Sequence, residues 1–117
     1  MKRSLTRYER LAKAVDIRRV FRYGKRRKCH GLKLLYAEND LPTNRIVIVA
    51  GKKLGNAVRR NRERRLIREV FRNSKGFLRT GYDMVFIPHK GDYAYEERLT
   101  QFRNVAERAN LWSQHQI

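Results

Sequence analysis

Apolar residues recur along this chain at two spacings, one helical and one strand-like, and they divide it into six segments. Between residues 11 and 23 the apolar positions are Leu11, Ala14, Val15, Ile17, Val20 and Phe21. Steps of three and four predict a helix, with Gly24 placed to cap its C-terminus. Residues 32–37 and 45–50 read as strands separated by the turn-forming Asn39, Asp40, Pro42 and Asn44, which predicts an antiparallel pair. The second of these, with Ile46-Val47-Ile48-Val49, is apolar on both faces and is assigned to mid-sheet. A long helix over 57–74 ends near Gly76 and leads to a strand over 83–87, stopped by Pro88. In the last helix Tyr95, Leu99, Phe102, Ala106 and Ala109 form a stripe that should pack on the sheet. Asp92 is its candidate cap, and Glu96 and Glu97 suit its positive first turn. A further short strand is expected around Lys52 and Lys53, and the cluster Lys25-Arg26-Arg27-Lys28 is the one low-complexity tract. The order α-β-β-(β)-α-β-α predicts an α+β fold: a single-domain α/β sandwich with a central, mostly antiparallel sheet of about four strands and three helices.

Composition adds a partner class to this scaffold. Of 117 residues 41% are hydrophobic, enough for a modest core in one domain over 1–117, with residues 1–10 as a flexible basic arm. Lys and Arg number 29 against 11 acids, a net charge of +18. The excess is concentrated: residues 1–30 hold 12 basic and 2 acidic groups, residues 52–75 hold 10 and 2, and the remainder is balanced. Two cationic blocks on a neutral scaffold imply a surface that lies against phosphates. No apolar run approaches the roughly 18 residues of a membrane span, and none follows the basic N-terminus as a secretory signal would require. The single cysteine, Cys29, forms no internal disulfide, and the cytoplasm is the expected compartment. His30, His89 and His115 are scattered and no paired carboxylates stand out, so no catalytic residue is assigned to the chain. Cys29 beside His30 does not supply the ligands of a zinc site, and no metal site is expected.

The functional signal is the stretch 51–71, GKKLGNAVRRNRERRLIREVF. At 100° per residue, Leu66, Ile67, Val70 and Phe71 share one side of the helix, while Asn61, Arg65, Arg68 and Arg72 share the other. Arginines four apart repel, and Glu63 and Glu69 relieve only part of that, so an external anion is implied. Arginine suits the purpose because its planar fork pairs with phosphate and stacks on bases. Lys52, Lys53, Gly55 and Asn56 stand at the helix N-terminus, where free N–H groups also attract anions.

From Lys53 to Glu69 the chain reads KLGNAVRRNRERRLIRE, and this resembles the pattern K-x-G-N-A-V-x-R-N-R-x-x-R-L-I-R-E of the protein subunit of bacterial ribonuclease P. The resemblance implies a non-catalytic protein that joins a large catalytic RNA and helps it remove the 5′ leader of precursor tRNA. Magnesium ions would serve the RNA-catalysed reaction, with no cofactor held firmly by the protein. It implies that Lys53, Gly55, Asn56, Arg60, Asn61, Arg62, Arg65 and Arg68 face the catalytic RNA. The single-stranded leader would pass between the first helix and the open sheet face, at Phe21, Lys52, Lys90 and Ile17. An aromatic is usual at the position of Ile17, and Leu35 also stands where the first strand often presents one; Tyr23 and Tyr36 are candidate substitutes. Core packing is the competing role for Phe21. The resemblance further implies a left-handed crossover through the arginine helix, against the usual right-handed preference. The implied partners are the catalytic RNA and the precursor leader, with no membrane and no obligatory protein partner. Two alternatives remain at this level: a ribosomal or RNA-chaperone protein, and a protein nuclease acting alone.

Overall fold

A computed structural model describes residues 6–115. Helix α1 (Ala14–Tyr23) is followed by β1 (Lys25–Cys29), β2 (Leu32–Glu38), β3 (Arg45–Ile48), α2 (Ala57–Ser74), β4 (Tyr82–Pro88) and α3 (Tyr95–Arg108). The strands form one sheet in the order β1-β2-β4-β3, in which β2 runs antiparallel to both neighbours and β3 parallel to β4. The α+β class, the four strands and the three helices are those expected, with a sheet that is mixed rather than wholly antiparallel. Since β3 and β4 are adjacent and parallel, α2 is the crossover of a βαβ unit.

The fourth strand lies elsewhere than expected. Lys52 and Lys53 sit in a 3-10 turn (Lys52–Leu54), whereas the basic cluster after Gly24 is strand β1. Four cations in a row carry no apolar alternation, and such a strand is tolerated at a sheet edge because its side chains stay in water. Gly24 caps α1 in extended conformation (φ −71°, ψ 158°), not in the left-handed one. A Cβ there would stand 2.4 Å from the Val20 carbonyl oxygen and 2.9 Å from that of Tyr36, so close approach is what requires glycine.

Nor do β2 and β3 pair with each other, because β4 lies between them. Strand β3 is an edge strand rather than a central one. Its two apolar faces have a different cause: Ile46 and Ile48 enter one core, Val47 packs on a second, and the free edge is covered by the preceding chain. Leu11 N donates to the Ile46 carbonyl at 2.8 Å, and Arg10 bridges to Ile46. Of the arm expected over 1–10, residues 1–5 lie outside the described residues, while Arg7–Glu9 form a 3-10 turn anchored by a 2.8 Å ion pair between Glu9 and Lys75. Helix α3 also starts later than Asp92, whose side chain is exposed. Its N-cap is Ala94, whose N–H donates to Glu97 Oε1 at 3.0 Å.

The sheet separates two cores. The larger joins Leu34, Ile46 and Phe86 to Ile67, Val70 and Phe71 of α2 and to Phe102, Val105 and Ala106 of α3. The smaller holds Leu11, Val20, Leu35 and Val85, with Ile17 at its margin. A fully buried large apolar side chain contributes roughly 1.5–3 kcal/mol. Helix α1, with Val20 alone fully buried, is therefore seated more weakly by apolar contact than α2 or α3. Among the described residues no helix is long and apolar enough to cross a membrane.

Candidate nucleic-acid interface

Gly55 has φ of +126°, a backbone that residues with a Cβ rarely adopt, and it turns the chain into the N-cap Asn56. Asn56 Oδ1 accepts from Arg59 N at 3.0 Å, which fixes the start of α2 beside the exposed Lys52 and Lys53. Glu63, Ile67, Val70, Phe71 and Ser74 are buried along the helix, so the opposite row, Asn61, Arg65 and Arg68, faces outward. Arg60 and Arg62 lie on opposite flanks of the buried stripe and are half-buried. Arg62 Nη1 reaches Glu63 Oε1 at 3.5 Å, and Arg60 Nε is buried without a hydrogen-bond partner.

Two arginines escape a reading of the helix by itself. Arg64 Nη1 donates to Asn61 Oδ1 at 2.8 Å, and Arg64 joins Arg68 and Arg10 around a shallow cleft against the β3 edge. Arg10 arrives from a distant part of the chain, and only the tertiary fold brings it there. Glu63 does more than relieve its neighbours: besides reaching Arg62 it is fully buried and ion-paired with the equally buried Arg98 of α3. Arg98 Nε donates to Glu63 Oε2 at 2.9 Å, Nη1 to the Gly31 carbonyl at 2.8 Å and to Gln101 Oε1 at 2.7 Å, and Nη2 to the His89 carbonyl at 3.2 Å. One guanidinium thus ties α2 to the β1–β2 turn and to the loop after β4. Position 63 falls in the helix's apolar stripe with Ile67 and Val70, a signal that a paired burial was due.

Register defines the other face. Residues directly opposite in a ladder point to the same side, so Lys28, Lys33 and Ile87 share the face of Leu35, Val85 and Val47, where α1 packs. Helix α1 crosses one half of this face over β2 and β4, and Ile17, Val47, Val49 and Ile87 pack around the small core and remain partly exposed. Phe21, one turn beyond Ile17, is 37% exposed, because Val20 takes the core position. Lys90 stands in the loop at the uncovered end, between two pinned carbonyls: His89 O is held by Arg98, and Gly91 O accepts from Arg59 Nη2 at 2.5 Å. Lys52 follows β3, which runs parallel to β4, and so belongs to that same end. The face is an apolar floor with Ile17 and Phe21 along one wall and Lys28, Lys33, Lys52 and Lys90 toward the other. Tyr36 is no part of it, since it belongs to the opposite core, and Leu35 is buried beneath α1.

Electrostatics hold the α1 wall in place. Asp83 is fully buried; Arg45 binds it through Nε and Nη2 at 2.7 Å each, Arg19 of α1 through Nη2 at 2.8 Å, and Asn39 Nδ2 at 3.0 Å. Burial raises its pKa, but the hydrogen bonds from Arg45 and Asn39 and the charges of Arg45 and Arg19 outweigh that, and the carboxyl is held below the ordinary aspartate value. At the open end, burial first and then the cations Lys28, Lys33 and Arg98 hold His89 below its ordinary value. Cys29 is half-buried against the larger core, and burial pushes its thiol up.

The sequence profile of the family Ribonuclease P matches residues 5–110. The ribonuclease P protein component of Petrotoga mobilis is 42% identical over 82 residues, covering 70% of each chain, and that of Natranaerobius thermophilus is 34% identical over 109, covering 92% of this chain and 95% of its own. Among solved structures, the Thermotoga maritima RNase P protein superposes with a TM-score of 0.79 at 31% identity, over 86% of this chain and 96% of its own. The Staphylococcus aureus RNase P protein superposes at 0.82 and 26% identity, over 90% and 98%. With a profile match over nearly all of the chain, and relatives this similar over most of theirs, the protein belongs to the ribonuclease P protein family.

Proposed function

We propose that this chain is the protein component of ribonuclease P and promotes removal of the 5′ leader from precursor tRNA. In this reading the outward row of α2, with Lys53, Gly55, Asn56, Arg60, Asn61, Arg62, Arg65 and Arg68, lies against the catalytic RNA. The cleft between α1 and the open sheet holds the single-stranded leader, its bases on Phe21 and the apolar floor at Ile17, its phosphates along Lys52 and Lys90. The observation that carries this reading is adjacency: the Arg59 and Arg98 bonds join the N-terminal half of α2 to the loop that bears Lys90, so two RNA-binding surfaces of different character share one rigid frame. Bond breaking is assigned to the RNA and the magnesium ions it holds. The carboxylates Glu63 and Asp83 both serve as buried arginine partners.

Reconstitution tests this directly. Adding the pure chain to bacterial ribonuclease P RNA at low magnesium should rescue maturation of precursor tRNA, and precursor should then bind better than mature tRNA. Unchanged ribozyme turnover would refute the assignment. Cleavage by the pure chain, resistant to prior RNase treatment, would move the chemistry to the protein.

A further inference from the structure

A cavity of about 680 Å³ lies on the other side of the sheet from the leader cleft, at the β1 edge. Tyr36 and Tyr82 contribute to its lining, edge to face with ring centres 6.2 Å apart, and the ring of Tyr23, the last residue of α1, is 73% exposed at its margin. The register explains the grouping: Lys25 of β1 is opposite Tyr36 of β2, and Tyr82 of β4 is opposite Glu38, two residues along β2 from Tyr36. Arg27, Arg79 and Arg108 complete the cationic lining, while Glu38 is the one carboxylate among the lining residues.

Among the described residues no ion pair neutralises these cations. Arg27 Nε donates to the Arg108 carbonyl at 3.2 Å, and Arg108 to Asn104 Oδ1 at 2.8 Å and to the Lys28 carbonyl at 3.1 Å, all neutral acceptors. Lys25 and Arg79 are exposed, and no ion pair joins either to a described carboxylate. Four cations around tyrosine rings suit a ligand that is planar in one part and anionic in another. An acidic peptide would engage the cations and leave the ring faces unused. A polynucleotide engages both, with a base against the exposed ring of Tyr23, since Tyr36 is buried with the Arg27 guanidinium over its ring, and successive phosphates along the rim.

We infer that this cavity is a second site for single-stranded RNA, taking an unpaired nucleotide on the opposite side of the β1 edge from Phe21. The inference rests on the chain acting within ribonuclease P, and it adds a contact that the arginine helix and the leader cleft do not include. Two RNAs could supply the nucleotide, a distal part of the leader or a single-stranded segment of the catalytic RNA; the recognition chemistry is the same.

Tyr23, Lys25 and Arg79 are exposed, so Tyr23→Ala and the double variant Lys25→Ala/Arg79→Ala leave both cores intact. Each is assayed in the reconstituted holoenzyme for affinity to precursors with short and long leaders, and as the free chain for affinity to the catalytic RNA. Loss of one stacked base predicts a decrease of about five- to a hundredfold for Tyr23→Ala. The double variant should lower the salt dependence by about one to two phosphate contacts. A loss confined to long leaders identifies the leader as the source; a loss in catalytic-RNA binding identifies the other. Unchanged affinity for both RNAs in both variants overturns the inference, as does polyglutamate competing for the wild type as well as polyuridylate at matched charge. Tyr23 also lines a groove with Phe21, so the double variant, whose two positions border this cavity and not that groove, is the one that separates the site from the leader cleft and leaves the main assignment, probed at Arg65 and Phe21, untouched.

Discussion

The α2 ridge and the α1 cleft are neighbours built on opposite principles. On α2 the exposed surface is dominated by arginine, with Val58 the one large apolar side chain exposed among its described residues, and the helix is fastened from behind by Ile67, Val70, Phe71 and the buried Glu63–Arg98 pair. In the cleft the floor is apolar, the cations stand at the margin, and the wall is a short helix with one fully buried side chain and an ion network around Asp83. A rigid cationic ridge fits a folded RNA of fixed shape, where phosphates must be met at set positions. An apolar floor with a loose rim of lysines fits a flexible strand of variable sequence, where stacking is tolerant and charge need not be placed exactingly. The two surfaces should therefore differ in salt dependence, and their scaffolds in what unseats them.

The largest effect is expected where the ridge is fastened. Glu63→Ala leaves Arg98 buried without its partner and should cost about 3–5 kcal/mol of stability in urea unfolding. The paired change Glu63→Leu/Arg98→Met should recover most of it; a single variant as stable as wild type would remove the pair from its anchoring role. Next comes the cleft wall. Asp83→Asn weakens the bonds from Arg19 and Arg45 and should cost about 1.5–3 kcal/mol, less than at Glu63 because both arginines keep contact with water. It should lower leader affinity while catalytic-RNA binding is kept. The sign of the pH effect follows from the depressed pKa. The unfolded chain takes up this proton before the folded one does, so the network's contribution is whole above the ordinary aspartate value and fades as pH falls through the folded value. Acid unfolding of wild type should show that slope, and Asp83→Asn should flatten it.

Smaller losses should separate the two binding modes. Arg65→Ala should weaken catalytic-RNA binding by about 1–3 kcal/mol and reduce the salt slope by about one, whereas Phe21→Ala should cost a similar amount for precursor with a leader and leave the slope unchanged. Equal losses of Phe21→Ala on precursor and mature tRNA would return Phe21 to a packing role. Least of all, Asn56→Ala removes one cap bond at the start of α2 and should lower stability by about 1 kcal/mol, visible as a small shift in thermal unfolding.

What could be read from the chain followed its periodicities. The bounds of α2, the Phe102-Ala106-Ala109 stripe and the row Asn61, Arg65, Arg68 and Arg72 off the buried side are consequences of local spacing, and they stand as expected, with Arg72 ion-paired to Glu69. Strand β1 was hidden because an edge strand of four cations has no apolar alternation. The β2–β3 pairing was misread because turn chemistry between two strands cannot show that a later strand inserts between them. In the candidate site, Arg10 and Lys33 reach their surfaces only through tertiary register, and the side taken by Tyr36, open in the sequence, is decided by its strand's parity, which turns it into the larger core. Glu63 was legible in retrospect, as a carboxylate inside an apolar stripe.

The two rims of the sheet are closed against self-association by unlike means. At β3 the chain around Arg10 and Leu11 lies along the edge and bonds to it at Ile46, a physical barrier that persists whatever the solvent. At β1 the barrier is Coulombic, four positive side chains that push away another copy carrying the same row, and it weakens wherever a polyanion or concentrated salt cancels them. Of the two, β1 is the side on which a second copy would first find room.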